Sequence, residues 1–246
     1  MTKKDDNSRQ QRLSKWNLQF SIPKRMKKVV VFILLSVVCF VQQLSAQAHP
    51  AFWDDVQVIR KYDSIYASPD RPILFIGSSS IRKWDDLERT FAIYVVMNRG
   101  IGGAQVNDII HYVNDIVFPY HPRQIVIYVG ENDIADEQTT ADSICVRIKR
   151  LFQVIRTGLP GIPIVYISIK PSPVREKYLV KAMAANKLIN EYIQSQKKIV
   201  FVDVYHRMIN SEGKPRPELF INDRLHMNQE GYKIWRKAVK PLLIKR

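Results

Sequence analysis

Cysteine is scarce in this chain, since only Cys39 and Cys145 occur among its 246 residues. Cys39 lies in an N-terminal segment that we expect to be removed, which leaves Cys145 as the single thiol of the remaining domain. A lone thiol cannot form an intramolecular disulfide, so a small scaffold stapled by disulfides is excluded. The domain must therefore be stabilised by its hydrophobic core, and 46% of the residues are apolar.

Several signatures of cofactor and nucleic-acid chemistry are missing as well. The chain has no His-Glu-x-x-His and no cysteine cluster, so we expect no metal and no other cofactor. No basic module with interleaved aromatic residues indicates a nucleic-acid partner. Residues 49–246 carry 29 basic and 21 acidic residues, a net charge of +8. This balance is typical of an ordinary basic surface, and the alternative is a preference for acidic polymers or anionic lipid headgroups.

The first 48 residues are typical of a targeting segment. A basic stretch at 24–28 precedes an apolar run at 29–41, and Ala46-Gln47-Ala48 offers an Ala-x-Ala cleavage site. The pattern predicts a signal peptide cut after Ala48, leaving one secreted or periplasmic domain at 49–246 without stable membrane insertion. The apolar run is shorter than the about 20 residues of a membrane span, although an uncleaved N-terminal anchor is the alternative. The polar stretch before Met26 is long for a signal peptide, so Met26 is a candidate for the true start.

Five short apolar runs rich in Val and Ile alternate with helical patterns along residues 49–246. Continuous runs of this length are typical of strands buried on both faces of a parallel sheet. The alternation predicts an α/β fold, a three-layer, flavodoxin-like α/β/α sandwich around a five-stranded parallel sheet. The predicted strands are 72–76, 93–97, 124–129, 162–167 and 198–202. The predicted helices are 80–89, 104–117, 140–157, 174–196 and 228–243.

Four short motifs lie where this fold brings distant chain segments together. They are Gly77-Ser78-Ser79-Ser80, Ile101-Gly102-Gly103, Gly130-Glu131-Asn132-Asp133 and Asp223-Arg224-Leu225-His226. The first three come after predicted strands, and the fourth precedes the last helix. Because ligands of open α/β sheets bind at the carboxyl ends of the strands, we expect all four motifs at one edge of the sheet.

The first three motifs offer a nucleophile and hydrogen-bond donors for a developing negative charge. A serine at a strand-to-helix turn can attack a substrate, although serine is also a common helix N-cap. The glycines at 102–103 let a backbone N–H face a ligand, or form a plain tight turn. The Asn132 amide can donate to an oxyanion, or serve the turn that contains it. The chain lacks the Gly-x-Ser-x-Gly turn of α/β-hydrolases.

The fourth motif offers a base together with the carboxylate that orients it. In an Asp-x-x-His turn the carboxylate of Asp223 reaches the Nδ1–H of His226, which leaves Nε2 free. Asp203 and His206 have the same spacing and are the alternative pair. We favour Asp223 and His226, because Asp203 directly ends a predicted strand, whereas Asp223 lies in a polar loop that opens a helix.

As a set, the four motifs resemble those of the SGNH (GDSL-type) hydrolase family. The resemblance runs from about residue 71 to 232. It is closest to the branch that includes platelet-activating-factor acetylhydrolase catalytic subunits and bacterial carbohydrate acetylesterases. It implies that Ser79 is the nucleophile, that Asp223 and His226 complete the triad, and that the N–H groups of Ser79 and Gly103 and the Asn132 amide bind the oxyanion. The family usually has Gly-Asp-Ser where this chain has Gly77-Ser78-Ser79, which opens the alternative nucleophiles Ser78 and Ser80.

The resemblance implies a serine esterase that works through an acyl-enzyme. The motifs lie on short connections without an insertion that would build a lid, which favours a short acyl group, above all acetyl, on a carbohydrate or related ester. A lysophospholipase or short-chain arylesterase is the alternative within this class. An acyltransferase and a non-catalytic glycan-binding module are the alternatives outside it. A small-molecule or glycan ester is the expected partner, and the sequence does not indicate an oligomeric state.

Overall fold

The Val- and Ile-rich runs form one parallel sheet in the computed structural model, which describes residues 49–245. Its strands are β1 (Ile73–Gly77), β2 (Val96–Gly100), β3 (Gln124–Tyr128), β4 (Ile164–Ile167) and β5 (Ile199–Val202). Their order across the sheet is β2-β1-β3-β4-β5, which is the flavodoxin-like order. The predicted five-stranded parallel sheet is therefore confirmed. The predicted leader at 1–48 lies outside the described residues.

Helices cover both faces of the sheet. They are α1 (Trp53–Ile65), α2 (Ser79–Arg82), α3 (Leu87–Thr90), α4 (Val106–His111), α5 (Val113–Ile116), α6 (Glu131–Ile134), α7 (Ala141–Gly158), α8 (Leu179–Gln194) and α9 (Gln229–Val239). Side chains of α1, α4, α5, α7 and α8 share one apolar cluster with alternate strand residues such as Leu74 and Ile127. Those of α2, α3 and α9 share a second cluster with the intervening strand residues, such as Phe75 and Val126. The three-layer sandwich thus has a core on each side of the sheet.

Two predicted helices are interrupted by aromatic residues that the core requires. The prediction of one helix at 80–89 is wrong, because the chain forms two short helices, α2 and α3, and Trp84 lies in the non-helical turn between them. Its buried indole packs edge-on against Phe75 and Trp235, with ring centroids 6.0 and 5.9 Å apart. The prediction for 104–117 breaks at Tyr112, whose hydroxyl donates to the carbonyl of Ala51 at 2.7 Å.

Other element boundaries also differ from the prediction. β2 begins three residues later than expected, because Ala92–Tyr94 form a 3-10 turn and Val95 has a left-handed φ of 48°. The predicted helix at 174–196 begins with a 3-10 segment, Pro173–Tyr178, and only then becomes α8. α1 escaped prediction because half of its apolar side chains are exposed and only Val56 is buried. Within residues 49–245, no helix combines the length and apolar character that a membrane crossing requires.

Replacing Ile148 by alanine should test the core beneath α7. Ile148 is 0% exposed, and a buried Ile→Ala change costs about 2–5 kcal/mol of unfolding free energy through lost burial and the cavity left behind. Val146 lies on the same helix but is 63% exposed, so Val146→Ala should change stability by less than about 0.5 kcal/mol. Urea unfolding followed by tryptophan fluorescence measures both, and equal losses would contradict this packing.

Candidate active site

The end of β1 places the first motif through a close backbone approach. Gly77 has φ +134°, and a Cβ added there would lie 1.8 Å from the carbonyl oxygen of Tyr128 on β3. Only glycine fits this position. The N–H of Ser78 donates to the same carbonyl at 2.9 Å. This contact fixes where the strand ends, and α2 then begins at Ser79.

The structure separates the three consecutive serines. Ser78 and Ser80 are each 1% exposed, and within residues 49–245 their hydroxyls have no hydrogen-bond partner. Ser79 is half-buried, and its Oγ lies 3.0 Å from Nε2 of His226. Ser79 is therefore the serine that is both accessible and next to a base.

The imidazole of His226 is held from its other side by Asp223. The Nδ1 atom lies 2.6 Å from Oδ2 of Asp223, while Oδ1 accepts the backbone N–H groups of Leu225 and His226, each at 2.9 Å. Desolvation raises the pKa of the Asp223 carboxyl, but the hydrogen bonds from the His226 ring and these two N–H groups outweigh it and hold the pKa below its usual range. An ionised carboxylate only accepts hydrogen bonds, so Nδ1 carries the proton and Nε2 is free to accept the Ser79 proton.

The alternative pair, Asp203 and His206, also forms in the structure. Its Nδ1–Oδ2 distance is 2.5 Å, but the His206 side chain is 66% exposed. Among residues 49–245, the His206 ring is hydrogen-bonded to Asp203 alone. The structure therefore brings Ser79 to His226 rather than to His206.

The loops that carry the predicted oxyanion donors are hydrogen-bonded to one another. The N–H of Ile101 donates to the carbonyl of Gly77 at 2.8 Å, which ties the glycine loop to the nucleophile turn. Gly103 is exposed with φ +83°. Within the described part of the chain, neither its N–H nor that of Ser79 donates a hydrogen bond. The Asn132 amide nitrogen donates to the Ala104 carbonyl at 3.0 Å and has a second hydrogen to offer.

Two cationic residues that the motifs did not indicate contact the functional loops. Nζ of Lys170 lies 2.5 Å from Oε1 of Glu131 and donates to the carbonyl of Leu225 at 2.7 Å. Burial lowers the pKa of Lys170, and the attraction of Glu131 opposes that shift. Arg175 donates to the carbonyl of Glu131 and to Oδ1 of Asn132. The sequence marks them only by the prolines between them, Pro171 and Pro173.

A polar cleft of about 650 Å³ lies beside the His226 loop. Residues 83–90 form one side, and residues 227–236 with Ile221 form the other. Both charge signs line the cleft: Lys83, Arg89, Arg236, Asp85, Asp86 and Glu230. Nζ of Lys83 lies 3.3 Å from Nδ1 of His226, so the cleft adjoins the candidate triad.

The arrangement can perform nucleophilic attack on an acyl carbonyl. It combines a serine, a histidine next to it, an ionised carboxylate that orients the histidine, and N–H donors for the oxyanion. In residues 49–245, no group of three or more His, Cys, Asp and Glu side chains could hold a metal ion.

Comparison with known proteins gives a family match and several relatives of similar fold. The family model of the GDSL-like lipase/acylhydrolase family matches residues 63–234. Human platelet-activating factor acetylhydrolase IB subunit alpha2 is 26% identical over 180 residues, which are 69% of this chain and 73% of that protein.

Solved structures share the fold. A GDSL-like lipase from Bacteroides thetaiotaomicron has a TM-score of 0.67 at 22% identity, covering 76% of this chain and 96% of its own. A catalytic mutant of an acetylxylan esterase from Geobacillus stearothermophilus has a TM-score of 0.58 at 15% identity, covering 73% and 97%.

A fluorophosphonate probe should label Ser79 alone. The Ser79 Oγ would displace fluoride from phosphorus after transferring its proton to His226, because only this hydroxyl lies next to a free Nε2. Intact mass and peptide mapping measure the adduct, which should persist in Ser78→Ala and Ser80→Ala and disappear in Ser79→Ala.

Matched variants of the two Asp-x-x-His pairs complete this test. Asp223→Asn should slow labelling strongly, since the amide no longer selects the required tautomer. Asp203→Asn should label at the wild-type rate. Equal slowing of labelling in both variants would contradict the assignment of His226, oriented by Asp223, as the base.

Proposed function

Because this chain belongs to the GDSL-like lipase/acylhydrolase family, a family of ester hydrolases, we propose that it is a secreted serine esterase that removes short acyl groups, above all acetyl, from carbohydrate or related esters. The observation that carries the proposal is the hydrogen-bonded chain from Ser79 through His226 to Asp223. Its residues come from opposite ends of the domain, and the fold brings them together at one sheet edge.

The proposed reaction passes through an acyl-enzyme. Ser79 Oγ attacks the ester carbonyl while His226 Nε2 takes its proton. The N–H groups of Ser79 and Gly103 and the Asn132 amide bind the oxyanion, and the protonated His226 then gives its proton to the leaving alcohol. Water repeats the attack with His226 as base, which releases the acid and restores Ser79. Losing one oxyanion donor typically lowers kcat by about 10²–10³-fold. In this mechanism, loss of the Asn132 amide should therefore reduce kcat to that extent.

The surroundings of Ser79 support a short acyl group on a polar alcohol. The loops of Ser79, Gly103 and Asn132 follow β1, β2 and β3 within a few residues and carry no insertion long enough for a lid. The polar cleft beside His226 offers charged and amide side chains to the part of the substrate that bears the ester. Two relatives are named for acetyl chemistry, a platelet-activating factor acetylhydrolase subunit and an acetylxylan esterase, and we extend that preference to this chain.

A second candidate is a lysophospholipase or short-chain arylesterase. The net charge of +8 over residues 49–246 favours it, because a basic surface attracts anionic lipid headgroups. The two candidates differ in the acyl length that the site accepts, and this difference is measurable.

A series of p-nitrophenyl esters tests the proposal. Purified residues 49–246 should hydrolyse the acetyl ester best, with kcat/KM falling as the acyl chain lengthens, because the open site gives a longer chain little apolar surface to bury. Ser79→Ala should fall to the background rate. An optimum at eight carbons or more would favour the second candidate, and activity that survives Ser79→Ala would refute the mechanism.

The proposed secretion has its own test. Full-length protein expressed in a bacterium with an active secretory pathway should appear outside the cytoplasm with His49 as its first residue, since the leader pattern ends at Ala48. N-terminal sequencing of the exported protein measures this. Export with an intact apolar run at 29–41 would instead support the membrane-anchored alternative.

A further inference from the structure

We propose that Arg175 is a positioning residue that orients the Asn132 amide for oxyanion binding. We further propose that the segment 170–175 fixes the position of the Asn132 loop relative to the His226 loop. This inference rests on the proposed esterase function. Nothing in the four motifs marks the segment, which connects β4 to α8.

Arg175 contacts the Asn132 loop at two points. Its guanidinium donates to the backbone carbonyl of Glu131 and, at 2.9 Å, to Oδ1 of Asn132. One planar group therefore holds both the backbone and the side chain of the loop, and a two-point contact of this kind fixes orientation as well as distance.

The chemistry of guanidinium determines which way the amide faces. Arginine has five N–H donors and no acceptor, so the oxygen of Asn132 must face Arg175. The amide nitrogen then faces the Ala104 carbonyl, to which it donates at 3.0 Å. Its second N–H is left for the substrate oxyanion beside Gly103. The positive charge of Arg175 beside the amide oxygen also polarises the amide and strengthens its N–H as a donor.

Lys170 holds the other loop from the same segment. Its side chain is 0% exposed and forms an ion pair with Glu131, which directly precedes Asn132. It also donates to the carbonyl of Leu225, which directly precedes His226. The hydroxyl of Tyr128 donates to the second oxygen of Glu131 at 2.9 Å, which completes the partners of this buried carboxylate.

The backbone between the two cations joins the same contact. The N–H of Val174 donates to the carbonyl of Arg224 at 3.2 Å, inside the Asp-x-x-His turn. Pro171 and Pro173 restrict the backbone of the segment. The six residues at 170–175 thus contact both the Asn132 loop, which follows β3, and the His226 loop, which lies in the connection after β5.

Arg175→Ala is the central variant, and Lys177→Ala is its matched control. Lys177 lies in the same 3-10 turn, but its side chain is 66% exposed and pairs with Glu137. Arg175→Ala should lower kcat on p-nitrophenyl acetate by about 10²-fold, as expected for a misplaced catalytic group, with little change in KM. Lys177→Ala should keep wild-type kinetics. Guanidinium ion added to Arg175→Ala should restore part of kcat, and it should not stimulate the control.

A double-mutant cycle separates positioning from a general structural role. If Arg175 acts through the amide, its removal in an Asn132→Ala background should lower kcat by less than about twofold further, because the donor is already gone. Full additivity of the two losses would overturn the inference. If Arg175→Ala unfolds, Arg175→Lys keeps the charge but not the two-point fork, and wild-type kcat in that variant would also overturn it.

A readout independent of turnover keeps the inference distinct from the proposed function. The side-chain amide signals of Asn132, identified by their loss in Asn132→Ala, should shift in the ¹⁵N NMR spectrum of Arg175→Ala and stay unchanged in Lys177→Ala. Unshifted signals would overturn the positioning role whether or not the protein hydrolyses esters. Retained hydrolysis in Ser79→Ala would overturn the proposed function alone.

Discussion

The contact between Gly77 and the Tyr128 carbonyl is the constraint on which the site depends. It joins the ends of the neighbouring strands β1 and β3 so closely that no side chain fits at position 77. Because Ser78 also bonds to this carbonyl, the chain must turn there, and Ser79 emerges at the first turn of α2. The glycine loop after β2 is then tied to Gly77 through Ile101. The positions of two motifs thus follow from one close approach of two backbones.

A buried ion pair between Glu131 and Lys170 fixes loops that backbone contacts alone do not hold. Glu131 and Lys170 are both almost fully buried, and removing one partner of such a pair is strongly destabilising because the other charge is left unpaired. The main effect of the pair is therefore to fix the distance between the Asn132 loop and the segment at 170–175, and its net contribution to the free energy of unfolding is small. The exposed pair of Asp203 and His206 lacks this surrounding structure. The same three-residue spacing thus gives a histidine that contacts Ser79 in one loop and a largely exposed histidine in the other.

Much of the fold was predictable because the strands are short, continuous and apolar. All five strands and their parallel pairing were foreseen, as was the gathering of the motifs at one edge. Boundaries failed where tertiary contacts override local pattern, as at Trp84, which the core draws out of a helix, and at Val95, whose left-handed φ delays β2. The family resemblance already favoured Ser79, and the structure adds the burial of Ser78 and Ser80, which the sequence does not show. Lys170 and Arg175 could not be found from sequence, because a lysine or arginine between prolines has no pattern that indicates its partner.

The distance along the chain between Ser79 and His226 has a consequence for folding. Their contact closes a loop of 147 residues, and contacts of such long range form late and slowly because the loop entropy must be lost first. The turn that carries Ser79 can form as soon as β1 and β3 pair, whereas His226 reaches it only when the chain leading into α9 has docked. On the proposed mechanism, activity therefore requires the finished domain, and its recovery after dilution from denaturant would time the last step of folding rather than the first.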